Sequence, residues 1–126
     1  MKRDMIKCGR LSFDAELFDT HTGRMIVNES PLAGITNVWG DEIYFPVSFT
    51  AELEKEACEE VEVGTLAYWP PGKAFCIFFG PTPVSTSSKP RAYSPVNIVG
   101  KIHGDLESLR SISDGEEIQV TLINDN

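Results

Sequence analysis

The side chains with the most chemical character in this chain are its aromatic rings and its carboxylates. Ten of the twelve aromatic residues lie between Trp39 and Tyr93. Within that stretch, Trp39-Gly40-Asp41-Glu42-Ile43-Tyr44-Phe45 sets a glycine and two acids between large rings. Trp and Tyr carry polar tips on apolar bodies, so they collect where one end is wet. The pattern predicts a ligand pocket with Trp39, Tyr44, Trp69 and Phe79 as walls and Glu42, Arg91 and Asn97 near its rim. The plainer reading is that the same rings fill a core, because a small barrel is packed by its own side chains.

The other constellations fail on spacing. Six glutamates fall within residues 51–62, a candidate surface for a divalent cation or a basic partner. Hard cations need oxygen ligands converging on one point with turn residues among them, so the stretch reads as a solvated strand end and loop. His21 and His103 stand far apart, with neither H-x-x-x-H nor H-E-x-x-H spacing, and read as surface or helix-end residues. His103, Asp105 and Ser94 could be assembled into a hydrolytic triad, but no G-x-S-x-G elbow presents a serine for attack. The cysteines, Cys8, Cys58 and Cys76, are odd in number and form no C-x-x-C, which argues against a disulfide framework or a zinc ribbon. Cys76 lies in an apolar strand, where a thiol behaves as a small hydrophobe. The run from Gly80 to Pro90 has the composition of a phosphate loop, but prolines at 81, 83 and 90 remove three N–H donors. The residues thus predict no metal and no cofactor, and a long loop leaving a strand after Phe79.

Charge narrows the partners. The 126 residues carry 19 acids against 11 basic side chains, a formal charge of -8. Twelve acids and two basic residues fall between Asp14 and Glu62, which leaves the Pro-rich aromatic centre with little charge. An acidic balance disfavours nucleic acid, whose phosphates recruit Lys and Arg, and an anionic membrane surface. The longest apolar run, Ala74–Phe79, is far short of the ~20 residues that span a bilayer. No apolar stretch follows the charged Met1–Lys7 segment, so no signal peptide is expected. These features predict a reduced, cytoplasmic protein of one domain, residues 1–126, with a peptide or small molecule as partner. Oligomeric state is left open.

The elements that must position the rings are mostly strands. Leu11, Phe13, Ala15 and Leu17 alternate with polar residues, as do Val47, Phe49, Ala51 and Leu53; both have the period of two of a half-buried strand. Further strands are expected at Met5–Cys8, Thr65–Trp69, Ala74–Phe79, Val96–Ile102 and Ile118–Leu122. Pro70-Pro71-Gly72-Lys73 supplies the turn between two of them. Thr20 can cap a short helix through about Asn28, ended by Pro31, and Leu106–Arg110 can form one more turn. Ala74–Phe79 is apolar on both faces and must be covered twice. The reading is a mainly β protein, a small closed barrel with one or two short helices and a helix or loop over its outside.

Four stretches carry a resemblance: Trp39–Phe45, Tyr68-Trp69-Pro70-Pro71-Gly72-Lys73-Ala74, Phe78-Phe79-Gly80-Pro81-Thr82-Pro83 and Ser94–Ile102. In this order they closely resemble the small prokaryotic cyclophilin-like family. The resemblance implies a closed cyclophilin-like β-barrel of about eight strands. Most of this family is uncharacterised, so the resemblance does not bring a ligand with it. True cyclophilins isomerise X-Pro bonds by holding the proline ring in an apolar pocket while an arginine bonds its nitrogen. Three expectations follow: a barrel that binds a small apolar or proline-containing peptide; a weak prolyl isomerase using the same pocket with Arg91 as donor; or a structural protein whose aromatic patch is an interface.

Overall fold

The computed structural model describes residues 2–123. Among the described residues there are ten strands: β1 (Lys2–Cys8), β2 (Leu11–Leu17), β3 (Leu32–Ile35), β4 (Asn37–Trp39), β5 (Glu42–Pro46), β6 (Cys58–Glu60), β7 (Thr65–Trp69), β8 (Ala74–Phe78), β9 (Arg91–His103) and β10 (Glu117–Ile123). One helix, α1 (His21–Glu29), and 3₁₀ turns at Pro70–Gly72 and Leu106–Ser111 accompany them. The Thr20 hydroxyl accepts from the Gly23 N–H at 3.0 Å and so caps α1 where the sequence predicts. The strands run β3-β10-β1-β2-β9-β7-β8-β5-β4, all pairs antiparallel, with β6 paired to the outer end of β9.

Two expectations are corrected here. The expected closed barrel of about eight strands is a ten-stranded sheet that hydrogen bonds do not close, because its end strands β3 and β4 do not pair. The cause lies at Thr36, the single residue between them. Its N–H and C=O bond to Glu116 O and from Gly115 N, at 2.8 and 2.9 Å, so the loop before β10 holds the chain at this corner. Gly34 instead packs beside the Phe45 ring, where a Cβ would lie 2.6 Å from the ring edge. Side-chain packing, not a backbone ladder, spans this gap.

The second correction concerns Val47–Leu53, which forms no strand. Its alternation is expressed in burial only at its centre: Phe49 and Ala51 are buried while Ser48, Thr50 and Glu52 are exposed, but Val47 is half-buried and Leu53 is 53% exposed. The fully buried Tyr68 replaces the missing ladder. Its hydroxyl donates to Phe49 O and accepts from Ala51 N, both at 3.1 Å, while its ring stacks on Phe49 at 5.5 Å. Removing the hydroxyl strands two buried backbone groups, each worth about 1–3 kcal/mol when left unpaired. Tyr68→Phe is therefore expected to cost about 2 kcal/mol and to speed amide exchange at Ala51, read by hydrogen–deuterium NMR.

The sheet separates two apolar layers. Ile43, Phe45, Leu66, Tyr68, Phe75 and Ile77 belong to the main core, together with Ile6, Phe13, Ile26 and Val120. The alternate residues Ala67, Ala74, Cys76 and Phe78 face the other way, into a smaller cluster with Val61, Ala92 and Val96. Thus β8 is buried at all five positions, the double covering that its composition demands. The second cover consists of β6 and the outer end of β9. Among the described residues, no helix is long and apolar enough to cross a membrane.

Candidate functional site

The smaller cluster does not fill its side of the sheet. Small residues (Ala67, Ala74 and Ala92) line this layer, and a pocket of about 270 Å³ remains at its edge. Trp39, Glu42, Tyr44, Trp69, Ala92, Tyr93 and Val96 line it. Register explains why they meet. Trp39 and Glu42 are partners across the β4–β5 hairpin, and Tyr44 pairs with Cys76 while Glu42 pairs with Phe78. Residues two apart on a strand share a face, so Glu42, Tyr44, Cys76 and Phe78 stand together. Trp69 joins them because its partner on β8 is Ala74.

Two turns set the walls. The β4–β5 hairpin turns through Gly40-Asp41, with Gly40 at φ 59°. A positive φ at the first central position suits glycine and the twist of a two-residue hairpin. The loop after β8 packs directly on this turn: Asp41 N donates to Pro81 O at 3.0 Å, and a Cβ on Gly40 would meet Pro83 at 2.7 Å. On the opposite wall, the Trp69 indole lies over Gly72, where a Cβ would approach the ring to 2.6 Å. Its Nε1–H donates to Ser94 Oγ at 2.7 Å. Tyr93, 72% exposed, stands at the rim edge-on to both tryptophans, with centroids 6.2 Å from Trp39 and 6.3 Å from Trp69.

The one charged residue in the lining is Glu42, 7% exposed. Burial pushes its carboxyl up to about 7, and the neighbouring Cys76 thiol pulls the other way. Burial, then the neighbouring Glu42, holds Cys76 well above the ordinary thiol range, so this cysteine stays a neutral thiol, with its Sγ 3.7 Å from Ala74 O.

Of the seven residues singled out from sequence, the structure brings four together: Trp39, Glu42, Tyr44 and Trp69. Phe79, Arg91 and Asn97 sit elsewhere. Phe79 is 5% exposed in the main core, because β8 alternates and odd positions face inward; the Arg110 guanidinium lies 5.6 Å over its ring. Arg91 is half-exposed and paired with Glu59 at 2.7 Å across β6 and β9. Asn97 is buried beneath α1. Its Nδ2 donates to Thr22 Oγ1 and Glu52 O, and its Oδ1 accepts from Glu54 N. Ala92, Tyr93 and Val96 also line the pocket. The expected strand starts only after Pro95, at Val96, so the part of the strand over residues 91–94 that carries Ala92 and Tyr93 is not visible in the sequence. β9 begins at Arg91 and tolerates this proline where its partner changes from β7 to β6.

The acidic stretch is less solvated than its composition suggests. Glu54 accepts from the Thr22 N–H at 3.0 Å and from the Thr22 hydroxyl, placing an anion at the positive end of α1. His103 pairs with Glu16 and His21 is exposed. Among the described residues no group of three or more His, Cys, Asp or Glu side chains could hold a metal ion. The Gly80–Pro90 loop is held by its own hydroxyls: Ser85 Oγ accepts from Thr82 N and donates to Lys89 O, and Thr82 Oγ1 donates to Arg91 O.

Residues 2–121 match the family model described as Cyclophilin-like. The chain belongs to the cyclophilin-like family. The solution structure of a hypothetical protein from Archaeoglobus fulgidus is similar, with a TM-score of 0.80 at 38% sequence identity over 95% of this chain and 93% of that one. No curated protein matches. Family membership thus accounts for the cyclophilin-like sheet, and the pocket chemistry must be read from this member's own residues.

Proposed function

We propose that this cyclophilin-like protein is a binding protein that seats a small apolar or proline-containing peptide segment in the pocket between Trp39 and Trp69. The observation that carries the reading is a preformed concave site of about 270 Å³ walled by Trp39, Tyr44, Trp69 and Tyr93 and holding a single charged side chain. Ligand sites of proteins are commonly apolar hollows with a few placed polar groups. An enzymic reading needs a donor at the proline nitrogen, and Arg91, committed to Glu59, is not in the lining. Binding without isomerisation is therefore the simpler assignment.

The test is a titration of Trp39→Phe and Trp69→Phe variants with short Ala-Ala-Pro-Phe peptides, followed by fluorescence. Each remaining indole should shift saturably, and Trp69→Ala should weaken binding by about ten-fold, the ordinary loss of an anchor side chain. Silence of both indoles at millimolar peptide would overturn the assignment. Exchange NMR showing isomerisation above the uncatalysed rate would replace it with the enzymic one.

A further inference from the structure

The pocket unites two features that a neutral apolar ligand does not use together. The first is the arrangement of three rings. Tyr93 stands at 71° to Trp39 and 88° to Trp69, with both centroid separations near 6 Å, so it meets each indole edge to face instead of stacking on it. Together with Tyr44 these rings wall one hollow, and the face of an aromatic ring attracts an organic cation through its negative π-density. The second is Glu42. Its side chain lines the same hollow, is buried at 7% exposure, and makes no ion pair among the described residues. Taking a carboxylate out of water is costly unless a counter-charge or donors offset it. Both arginines near this end of the sheet are committed, Arg91 to Glu59 and Arg110 to Asp41 and Glu107.

Resting on the reading of this pocket as a ligand site, we infer that the group it takes is an alkylated ammonium, held by the rings of Trp39, Trp69 and Tyr93 with the Glu42 carboxylate as counter-charge. Alkyl groups cover the charge of such a head and make it weakly hydrated, so it suits an apolar wall and still answers a buried anion. A free ammonium would lose more hydration on entry. The formal charge of -8 on the chain favours the approach of any cation.

The inference gives the site a pH dependence of definite sign. The titratable groups around the Glu42 carboxyl are the Cys76 thiol of β8, Tyr44 of β5 and Tyr93 of β9, and burial together with Glu42 itself holds the thiol well above the ordinary thiol range. A cation binds the ionised carboxyl. Affinity should therefore be full at pH 8 and about ten-fold weaker at pH 6, as Glu42 takes up its proton through about 7.

The experiment uses the whole chain and an isosteric pair of probes, choline and its uncharged analogue 3,3-dimethyl-1-butanol. Their binding is followed by the Nε1–H signals of Trp39 and Trp69. Choline should bind saturably at pH 8 and at least ten-fold more tightly than the alcohol. Glu42→Gln, a near-isosteric change, should bring the two probes to within about two-fold and abolish the pH dependence. Equal affinity for both probes, or binding of proline peptides with no response to choline, overturns the ammonium inference while leaving the pocket as a binding site. No response of either indole to choline, the alcohol or the peptides overturns both. A folded Glu42→Gln variant that still prefers choline ten-fold also refutes the inference, because the counter-charge would then lie elsewhere.

Discussion

Replacing the two buried carboxyls, by Glu42→Gln and Asp4→Asn, is expected to stabilise the protein at pH 8 relative to wild type far more than at pH 4. Asp4 lies on β1 facing the interior, fully buried, and neither carboxylate oxygen has a hydrogen-bond partner among the described residues. Its register neighbours are Ala15 on β2 and Leu122 on β10, which offer it nothing polar. Burial raises its pKa from 3.8 to about 6, as it raises that of Glu42 from 4.5 to about 7. The sign follows directly. A carboxyl whose pKa is higher in the folded state binds its proton more tightly there, so folding is unhindered while both states are protonated. The penalty begins as pH rises through the unfolded values, grows up to about 6 for Asp4 and about 7 for Glu42, and is complete above that. A rise of this size corresponds to about 3 kcal/mol for each carboxyl.

The amide substitutions carry their own cost, since a buried amide also wants partners, but this cost does not change with pH. The readout is therefore the difference in unfolding free energy between wild type and the double variant, by urea denaturation at pH 4 and pH 8. The variant should gain several kcal/mol on going from pH 4 to pH 8. A gap that stays constant across this range would show that neither carboxyl is desolvated as the structure has it. Bound cation reduces the Glu42 part of this gap, and the Asp4→Asn single variant isolates the part that no ligand reaches.

Asn97→Ala is expected to cost about 3–5 kcal/mol while leaving the pocket able to bind. Asn97 joins three pieces of chain distant in sequence: Thr22 at the start of α1, Glu52 and Glu54 in the acidic loop, and β9 itself. Its bonds measure 3.0 Å to Thr22 Oγ1, 2.9 Å to Glu52 O and 2.8 Å from Glu54 N. Truncation leaves these groups unpaired at a buried joint, each worth about 1–3 kcal/mol before water reaches the outer ones. It also frees Glu54 from the position in which it caps α1 through Thr22. Thermal unfolding checks the loss, and a peptide titration on the folded fraction checks the pocket. Loss of binding without loss of stability would return Asn97 to the binding site.

These two residues show how far alternation alone can be read. Glu42 and Tyr44 are two apart on one strand, so the wall they form was legible from the sequence around Gly40. Phe79, expected as a wall, and Asn97, expected at the rim, each face the opposite layer. A strand pattern says which residues share a face, but a strand apolar on both faces, such as β8, does not say which face is the main core. The stretch Val47–Leu53 makes the related point that alternation records burial and not pairing. It is anchored by one tyrosine hydroxyl from a strand that passes beneath it.

By itself the sequence determined the mainly β character, the capped helix at His21–Glu29, the turn at Pro70–Gly72, the double covering of β8 and the cyclophilin-like membership. All of these but the last depend on local conformational preference or on periodicity within a few residues; the membership rests on the resemblance of four motifs spread from Trp39 to Ile102. Tertiary structure decided which rings surround the hollow, that Tyr93 completes it, that Arg91 is taken by Glu59, and that the sheet stays unpaired between β3 and β4. Each of these depends on register between strands far apart in the chain. A shift of one residue exchanges every side chain between the two layers.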